Sequence, residues 1–179
     1  MKKREKIKLL EEEIEKLKQE NELLRRAAYK DSLTNINNRR ILDNYKEYNY
    51  LVLGDLDDFK DINDKHGHII GDAVLVAVSK MLKSGIKSDD IVCRWGGEEF
   101  VLLLNNTDIA SSLDKVTLIK DSIESLEKAF DFKITMSFGL TEIDKDKSIE
   151  EIINEADEAM YQSKLNGKNM ISVYKSKVK

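Results

Sequence analysis

The chain has little of several things, and each shortage narrows what it can be. It has a single cysteine, Cys93, so no internal disulfide can form, and a reducing compartment is expected. With only two histidines and that one cysteine, a zinc site is not expected; His66 and His68 flank Gly67 without metal-ligand spacing. No apolar run approaches the roughly 18 residues of a membrane-spanning helix. The charged start, Met1-Lys2-Lys3-Arg4-Glu5-Lys6, lacks the apolar stretch of a signal peptide. A cytoplasmic, soluble protein with no membrane in this chain is therefore expected. Net charge is −4, which does not suit a protein that coats nucleic acid, and no nucleic-acid partner is expected. Proline is absent too, for no physical reason that the chain reveals.

What is present is 179 residues, 41% apolar and 36% charged, enough for one domain with a core plus an appendage. The appendage is residues 1–29, and the domain 30–179. Residues 5–29 carry a heptad. Ile7, Ile14, Asn21 and Ala28 fall at a; Leu10, Leu17 and Leu24 fall at d. Isoleucine at a with leucine at d favours two parallel strands, and one asparagine at a fixes register. The g-to-e pairs across such a dimer are Lys6 with Glu11, Glu13 with Lys18 and Glu20 with Arg25, all attractive. The competing reading is a lone amphipathic helix packed on its own domain; Leu9 and Leu23, both at c, favour it.

Residues 30–40 break the heptad with Asp, Ser, Thr and Asn, which cap helices and form Asx turns. A short helix through Tyr48 is expected next. Tyr50-Leu51-Val52-Leu53-Gly54-Asp55-Leu56-Asp57 reads as a buried strand ending in acids, with Asp55 and Asp57 on one side. Acids so placed can hold Mg²⁺, or form a solvated turn. Residues 58–85 read as a polar helical stretch capped by Gly67 and Gly71, then a buried helix from Ala73 to Leu82. Asn63 and Asp72 can read a purine edge: an amide offers donor and acceptor, and a carboxylate accepts two N–H bonds.

Two apolar runs, Ile91-Val92-Cys93 and Phe100-Val101-Leu102-Leu103-Leu104, enclose Gly96-Gly97 and the acids Glu98 and Glu99. The glycine pair predicts a two-residue hairpin turn with positive φ at both positions. The two acids at the mouth of an apolar strand point to a ligand, and the missing Cβ atoms allow it a close approach. A helix capped by Asp108 is expected to run to about Phe130. Ile109, Leu113, Val116, Ile119, Ile123 and Leu126 form its inner side. A strand over 133–140, a helix over 149–165 capped by Ser148, and a short strand over 169–174 complete the chain. The last helix turns Ile152, Ile153, Ala156, Ala159 and Met160 inward and stops at Gly167.

Together these stretches resemble the GGDEF-domain diguanylate cyclases, in the Gly-Gly-Glu-Glu-Phe form, over about residues 30–175. Five segments carry the resemblance, in matching order and spacing: Asp31 to Arg40, Asp55 to Asp64, Gly67 to Asp72, Arg94 to Phe100, and Ala156 to Asn169. The resemblance implies an α+β, palm-like domain with a central, mostly antiparallel sheet flanked by helices. It implies Mg²⁺-dependent condensation of two GTP into cyclic di-GMP and two pyrophosphates by a homodimer, with Mn²⁺ an alternative ion. It assigns Asp55, Glu98 and the Leu56 carbonyl to the metal, and Asn63, His68 and Asp72 to guanine. Phe59 and Lys60 lie at the phosphates, and Lys164 and Lys168 grip the β and γ groups. Glu98 is the residue expected to activate the 3′-hydroxyl, with Glu99 in support; Asp57 receives no firm role.

The chain departs from the family in three places. The product-inhibition site, Arg-x-x-Asp in the family, reads Lys87-Ser88-Asp89-Asp90 here. Lysine lacks the planar fork that holds guanine and phosphate together, so weak or absent feedback is expected. Asn35 replaces a usual glycine, and asparagine tolerates the left-handed conformation. Lys168 stands where arginine is common. A mixed guanine–adenine cyclase, a catalytically silent nucleotide-binding module and a coiled-coil assembly domain with a vestigial globular part are the competing readings. Asp72 weighs against the first; Glu98, Asp55 and Lys60 weigh against the other two. An upstream sensor domain, absent from this sequence, is a candidate partner.

Overall fold

The computed structural model describes residues 3–175, except the side chains of 3–5 and 25–27. The expected pairing of Glu20 with Arg25 thus involves a side chain outside the described residues, as do the extreme ends of both expected domains. The chain forms two compact units, residues 1–30 and 31–179.

The first unit is helix α1, Lys3–Tyr29. The heptad residues Ile7, Leu10, Ile14, Leu17 and Leu24 are all exposed along it, and so are Leu9 and Leu23. No helix among the described residues is long and apolar enough to cross a membrane.

The second unit is built on a six-stranded sheet in the order β1-β3-β4-β2-β5-β6. Its strands are β1 (Asn37–Asn38), β2 (Tyr50–Leu56), β3 (Ile91–Arg94), β4 (Glu99–Leu104), β5 (Met136–Glu142) and β6 (Ile171–Val173). The four inner strands pair antiparallel, and the two short edge strands add parallel. This is the mostly antiparallel sheet expected. Every residue of β2 is buried, as its apolar run implies.

One face of the sheet packs on α2 (Phe59–His66), α3 (His68–Ser84) and α4 (Ile109–Glu124), through Val52, Leu102, Phe138, Val78 and Ile119. The other face packs on α6 (Ile149–Leu165) and the 3₁₀ stretch Arg39–Glu47. The inward residues expected for α6 are all buried. Its start is a full capping box between Ser148 and Glu151. Gly139 lets α6 lie directly on β5: a Cβ there would stand 2.0 Å from the Ala156 carbonyl oxygen. Cys93 is enclosed in this second layer, where burial pushes its thiol up to about 12.

Several expectations need correction. The helix from Asp108 ends at Glu124, and α5 (Glu127–Phe130) is separate. Between them the Leu126 N–H returns to the carbonyl of Ile123, tightening the chain out of α-helical register. Ile109 is 39% exposed, at the solvent-facing start of α4. Gly71 is not a cap but lies inside α3, where a Cβ would collide with the Asn63 amide at 1.9 Å. The strand expected from Lys133 begins at Met136. Strand β1 was not expected at all. Asn35 does adopt φ 58, the left-handed conformation foreseen for it.

Candidate active site

At one end of the sheet, β2 delivers Asp55, the β3–β4 bend delivers Glu98, and α6 delivers Lys164. Register brings the first two together. Asp55 stands opposite Glu99 on β4 and Ser137 on β5. The Leu56 N–H bonds to the Glu98 carbonyl at 3.3 Å, drawing the bend onto the end of β2. The Lys164 ammonium lies 2.6 Å from Asp55.

The bend itself differs from the tight turn expected. Neither Gly96 nor Gly97 has a left-handed φ. Strand β3 ends at Arg94 and β4 begins at Glu99, so Trp95 to Glu98 make the reversal. The Trp95 and Gly96 N–H groups both bond to the Glu99 carbonyl, at 2.8 and 3.3 Å, and a side chain adds to that closure. The Arg94 guanidinium donates to the Gly97 carbonyl from Nε at 3.1 Å and Nη2 at 2.7 Å. The same group pairs with Asp31 at 3.2 Å. Asp31 also accepts from the Thr34 N–H at 2.8 Å and the Thr34 hydroxyl at 2.6 Å. Burial alone would raise the Asp31 pKa, but the Thr34 bonds and Arg94 hold it below its ordinary value. Gly97 has open space where a Cβ would stand, so the bend keeps an approachable face.

The carboxylates crowd one another. Burial pushes Asp55 up, Lys164 opposes this, and the charges of Asp57 and Asp157 add to it. Glu98 is raised by burial and then by Asp55, against the pull of Lys164. Glu99 is raised for the same first two reasons. Acids held above their usual range in a cleft are a mark of sites that await a cation or move a proton.

A cavity of about 250 Å³ joins these groups to their neighbours. Asp55, Leu56, Glu98 and Lys164 line it together with Phe59, Lys60 and Lys168. Every residue expected at the metal or the phosphates, Glu99 apart, therefore meets in one place. Among the described residues no three His, Cys, Asp or Glu side chains are grouped to hold a metal by themselves. Asp57 and Asp58 line the cavity too, but the Asp57 oxygens are taken by Thr135, Ser137 and Asn169, and Asp58 pairs with Lys168. Asp55, Glu98 and the Leu56 carbonyl are the candidate donor set for a metal. Such hard oxygen ligands fit Mg²⁺, which keeps several waters and phosphate oxygens of its own.

The guanine set lies apart from the cavity, at the corner between α2 and α3. Asn63 is half-buried against Gly71, while His68 and Asp72 are exposed. Lys87 and Asp90 lie at the other end of β3 from the bend. Lys87 is exposed, but Asp90 is 3% exposed. Its carboxylate accepts from Lys115 at 2.5 Å, from the Asn105 N–H at 2.9 Å and from the Lys87 N–H at 3.0 Å. Asp90 is thus a framework residue whose oxygens are already taken. Burial would raise its pKa, but Lys115 and the two N–H groups hold it below its ordinary value.

Two arrangements escaped the sequence. One is the Asp31–Arg94 clamp; the Asp-x-x-Thr pattern hints at the local turn, but nothing in it names Arg94. The other is the burial of Asp57 at 6% exposure, its oxygens bonded to Thr135, Ser137 and Asn169.

Comparison with known proteins agrees with this geometry. A family profile described as "Diguanylate cyclase, GGDEF domain" matches residues 28–170. Diguanylate cyclase A of Treponema denticola is 38% identical over 135 residues, covering 73% of this chain and 36% of that protein. Diguanylate cyclase DgcM of Escherichia coli K12 is 34% identical over 171 residues, covering 89% and 42%. The chain thus spans well under half the length of either relative. The coiled coil and GGDEF domain of DgcB from Caulobacter crescentus, solved with c-di-GMP, superposes with a TM-score of 0.82 at 26% identity. That match covers 95% of this chain and 98% of that one.

Proposed function

Because this chain belongs to the GGDEF-domain family of diguanylate cyclases, we propose that it condenses two GTP into cyclic di-GMP and two pyrophosphates. The observation that carries the proposal is the single cavity lined by Asp55, Glu98, Lys60 and Lys164. Attack of a 3′-hydroxyl on an α-phosphate needs in-line placement and charge neutralisation more than covalent help. Asp55, Glu98 and the Leu56 carbonyl would hold Mg²⁺, or Mn²⁺, which when bound neutralises phosphate charge and acidifies a coordinated hydroxyl.

The chain's own groups do the rest. Lys60, Lys164 and Lys168 bind the phosphates. Asn63 and Asp72 read guanine, with His68 beside them; the Asp72 carboxylate accepts from two N–H donors that adenine does not offer together. Phe59, 8% exposed, anchors the start of α2 so that Lys60 faces the cavity. Glu98 takes the proton of the attacking hydroxyl. Its raised pKa brings it nearer the range of an effective base at neutral pH. Glu99 supports the bend from the first position of β4.

One domain holds one GTP, and the second hydroxyl belongs to the other. Two copies must therefore face each other. Parallel pairing of α1 through Ile7, Leu10, Ile14, Leu17 and Leu24 would raise the local concentration of the second half-site. Incubation with GTP and Mg²⁺, with products identified by mass spectrometry, tests the proposal. Cyclic di-GMP is expected from the parent and none from Glu98→Ala. A mixed cyclic dinucleotide from a GTP and ATP mixture, or no product at all, would overturn it.

A further inference from the structure

Asp57 has no part in the chemistry above, yet it is more firmly held than the acids that do. Its Oδ1 accepts from the Ser137 hydroxyl at 2.7 Å. Its Oδ2 accepts from the Thr135 hydroxyl at 2.8 Å and from the N–H of Asn169 at 3.0 Å. Its own N–H reaches the Thr135 carbonyl at 2.9 Å. Both oxygens are committed inside the protein, which leaves the carboxylate poorly disposed to ligate an ion.

The bond to Asn169 lands on an unusual backbone. Gly167 has φ 121, and two non-glycine residues follow in the left-handed region, Lys168 at φ 63 and Asn169 at φ 50. Asparagine tolerates that region, but a lysine stays in it only where its surroundings hold it, and such strain gathers at functional sites. The end of α6 holds the first part of this turn: the Lys168 N–H bonds to the Ser163 carbonyl at 3.0 Å and the Gly167 N–H to the Lys164 carbonyl at 3.4 Å. Two attachments hold Asn169: Asp57 on its N–H, and Glu124 on its side-chain amide at 3.1 Å. The other amide atom, Oδ1, is the one buried side-chain oxygen or nitrogen without a hydrogen-bond partner among the described residues. The donors of Asn169, not that oxygen, therefore tether the turn. Lys168 sits within it, and its ammonium reaches the cavity wall at Asp58, 2.5 Å away.

We propose that Asp57 is a positioning residue for a phosphate-holding turn: through the Asn169 N–H it fixes the far side of the turn, as the α6 carbonyls fix the near side, so that Lys168 between them is presented to a triphosphate, and it does not hold the divalent ion. The proposal rests on the reading of Lys168 as a phosphate-binding residue.

The test is ligand binding by the full chain. Its probes are 3′-deoxy-GTP, which lacks the attacking hydroxyl, and GMP, which lacks the β and γ phosphates. Asp57→Asn replaces the charge-assisted bond to the Asn169 N–H by at most a neutral one and should weaken 3′-deoxy-GTP by about tenfold. GMP affinity should stay within about twofold, because the guanine corner is untouched. The midpoint of a Mn²⁺ titration at saturating 3′-deoxy-GTP, followed by electron paramagnetic resonance, should not move. Asn169→Gly keeps the N–H that Asp57 holds and loses only the Glu124 tether; it should retain triphosphate affinity, and a loss of about tenfold would move the positioning role from Asp57 to Glu124 and overturn the proposal. If Asp57→Asn does not fold, Ser137→Ala removes one hydroxyl clamp with little change of shape; it should weaken 3′-deoxy-GTP but not GMP. Equal losses for both nucleotides, a shifted Mn²⁺ midpoint, or no loss at all would each overturn the proposal. Lys168→Ala with parental 3′-deoxy-GTP affinity would instead sink the phosphate reading beneath it, while cyclase activity could survive.

Discussion

Removing the Asp31 carboxylate should loosen the catalytic bend from a distance. Asp31 accepts two bonds from Thr34, and Thr34 is 8% exposed. Losing a local cap of this kind costs about 1 kcal/mol. Its ion pair with Arg94 has side chains 20% and 16% exposed, so solvent screens it in part, and about 1 kcal/mol more is expected. Asp31→Ala should therefore lose about 2 kcal/mol in urea unfolding, and its Tm should fall by about 4–8 °C, as suits a domain of this size. Trp95 is the sole tryptophan and lies in the bend, so its fluorescence reports the transition and the local change together. Arg94→Ala should cost more, because the Gly97 carbonyl also loses its two donors. The double variant should show a coupling of about 1 kcal/mol in stability, as contacting charged groups do. Turnover of GTP should show the same non-additivity, since Glu98 follows Gly97 directly. Acid supplies a second reading. Asp31 is depressed below 3.8 in the folded domain, so its contribution is full above that pH and disappears as pH falls through the folded value. The stability gap between the parent and Asp31→Asn should thus be constant from neutral pH to about 5 and shrink below about 4. Strict additivity of Asp31→Ala and Arg94→Ala, in both stability and turnover, would refute the clamp.

Lys115→Met leaves Asp90 charged and buried, and about 3 kcal/mol of stability should be lost in chemical denaturation; a loss under about 1 kcal/mol would mean that the pair is solvated. Gly139→Ala should cost about 3 kcal/mol or prevent folding, since the new methyl meets the α6 backbone at Ala156 and Met160; parental thermal stability would contradict the close packing. Removing residues 1–28 should lower cyclase turnover most at low protein concentration, and undiminished turnover of the dilute truncated protein would remove α1 from the mechanism. Glu98→Ala protein should bind cyclic di-GMP only weakly, because Lys87 lacks the arginine fork and the Asp90 oxygens are taken; a submicromolar Kd by calorimetry would show otherwise.

The sequence disclosed the parts of the fold that depend on near neighbours. An unbroken apolar run announced β2, and Ser148 announced the start of α6. The five motif segments named nearly every residue lining the cavity. What stayed hidden depends on partners distant in the chain. Strand β1 is two asparagines with no apolar period, and it exists because the Asn37 amide and a parallel ladder fasten it to β3. The glycine pair suggested a mirror-image turn, but Arg94 closes a wider bend, and its anchor lies 63 residues away at Asp31. Alternation placed Asp55 and Asp57 alike, although Asp57 spends its oxygens on residues 78 to 112 positions further along. No local pattern could have told the two acids apart.

The lysine resting on Asp55 ties that acid to whatever else Lys164 binds. With Lys164 at 2.6 Å from one oxygen of Asp55, the chain carries its own counterion for the acid. Any pull that an arriving phosphate exerts on that ammonium loosens its hold on the carboxylate. If Lys164 binds phosphate as proposed, nucleotide entry and release of the Asp55 oxygen are two sides of one exchange.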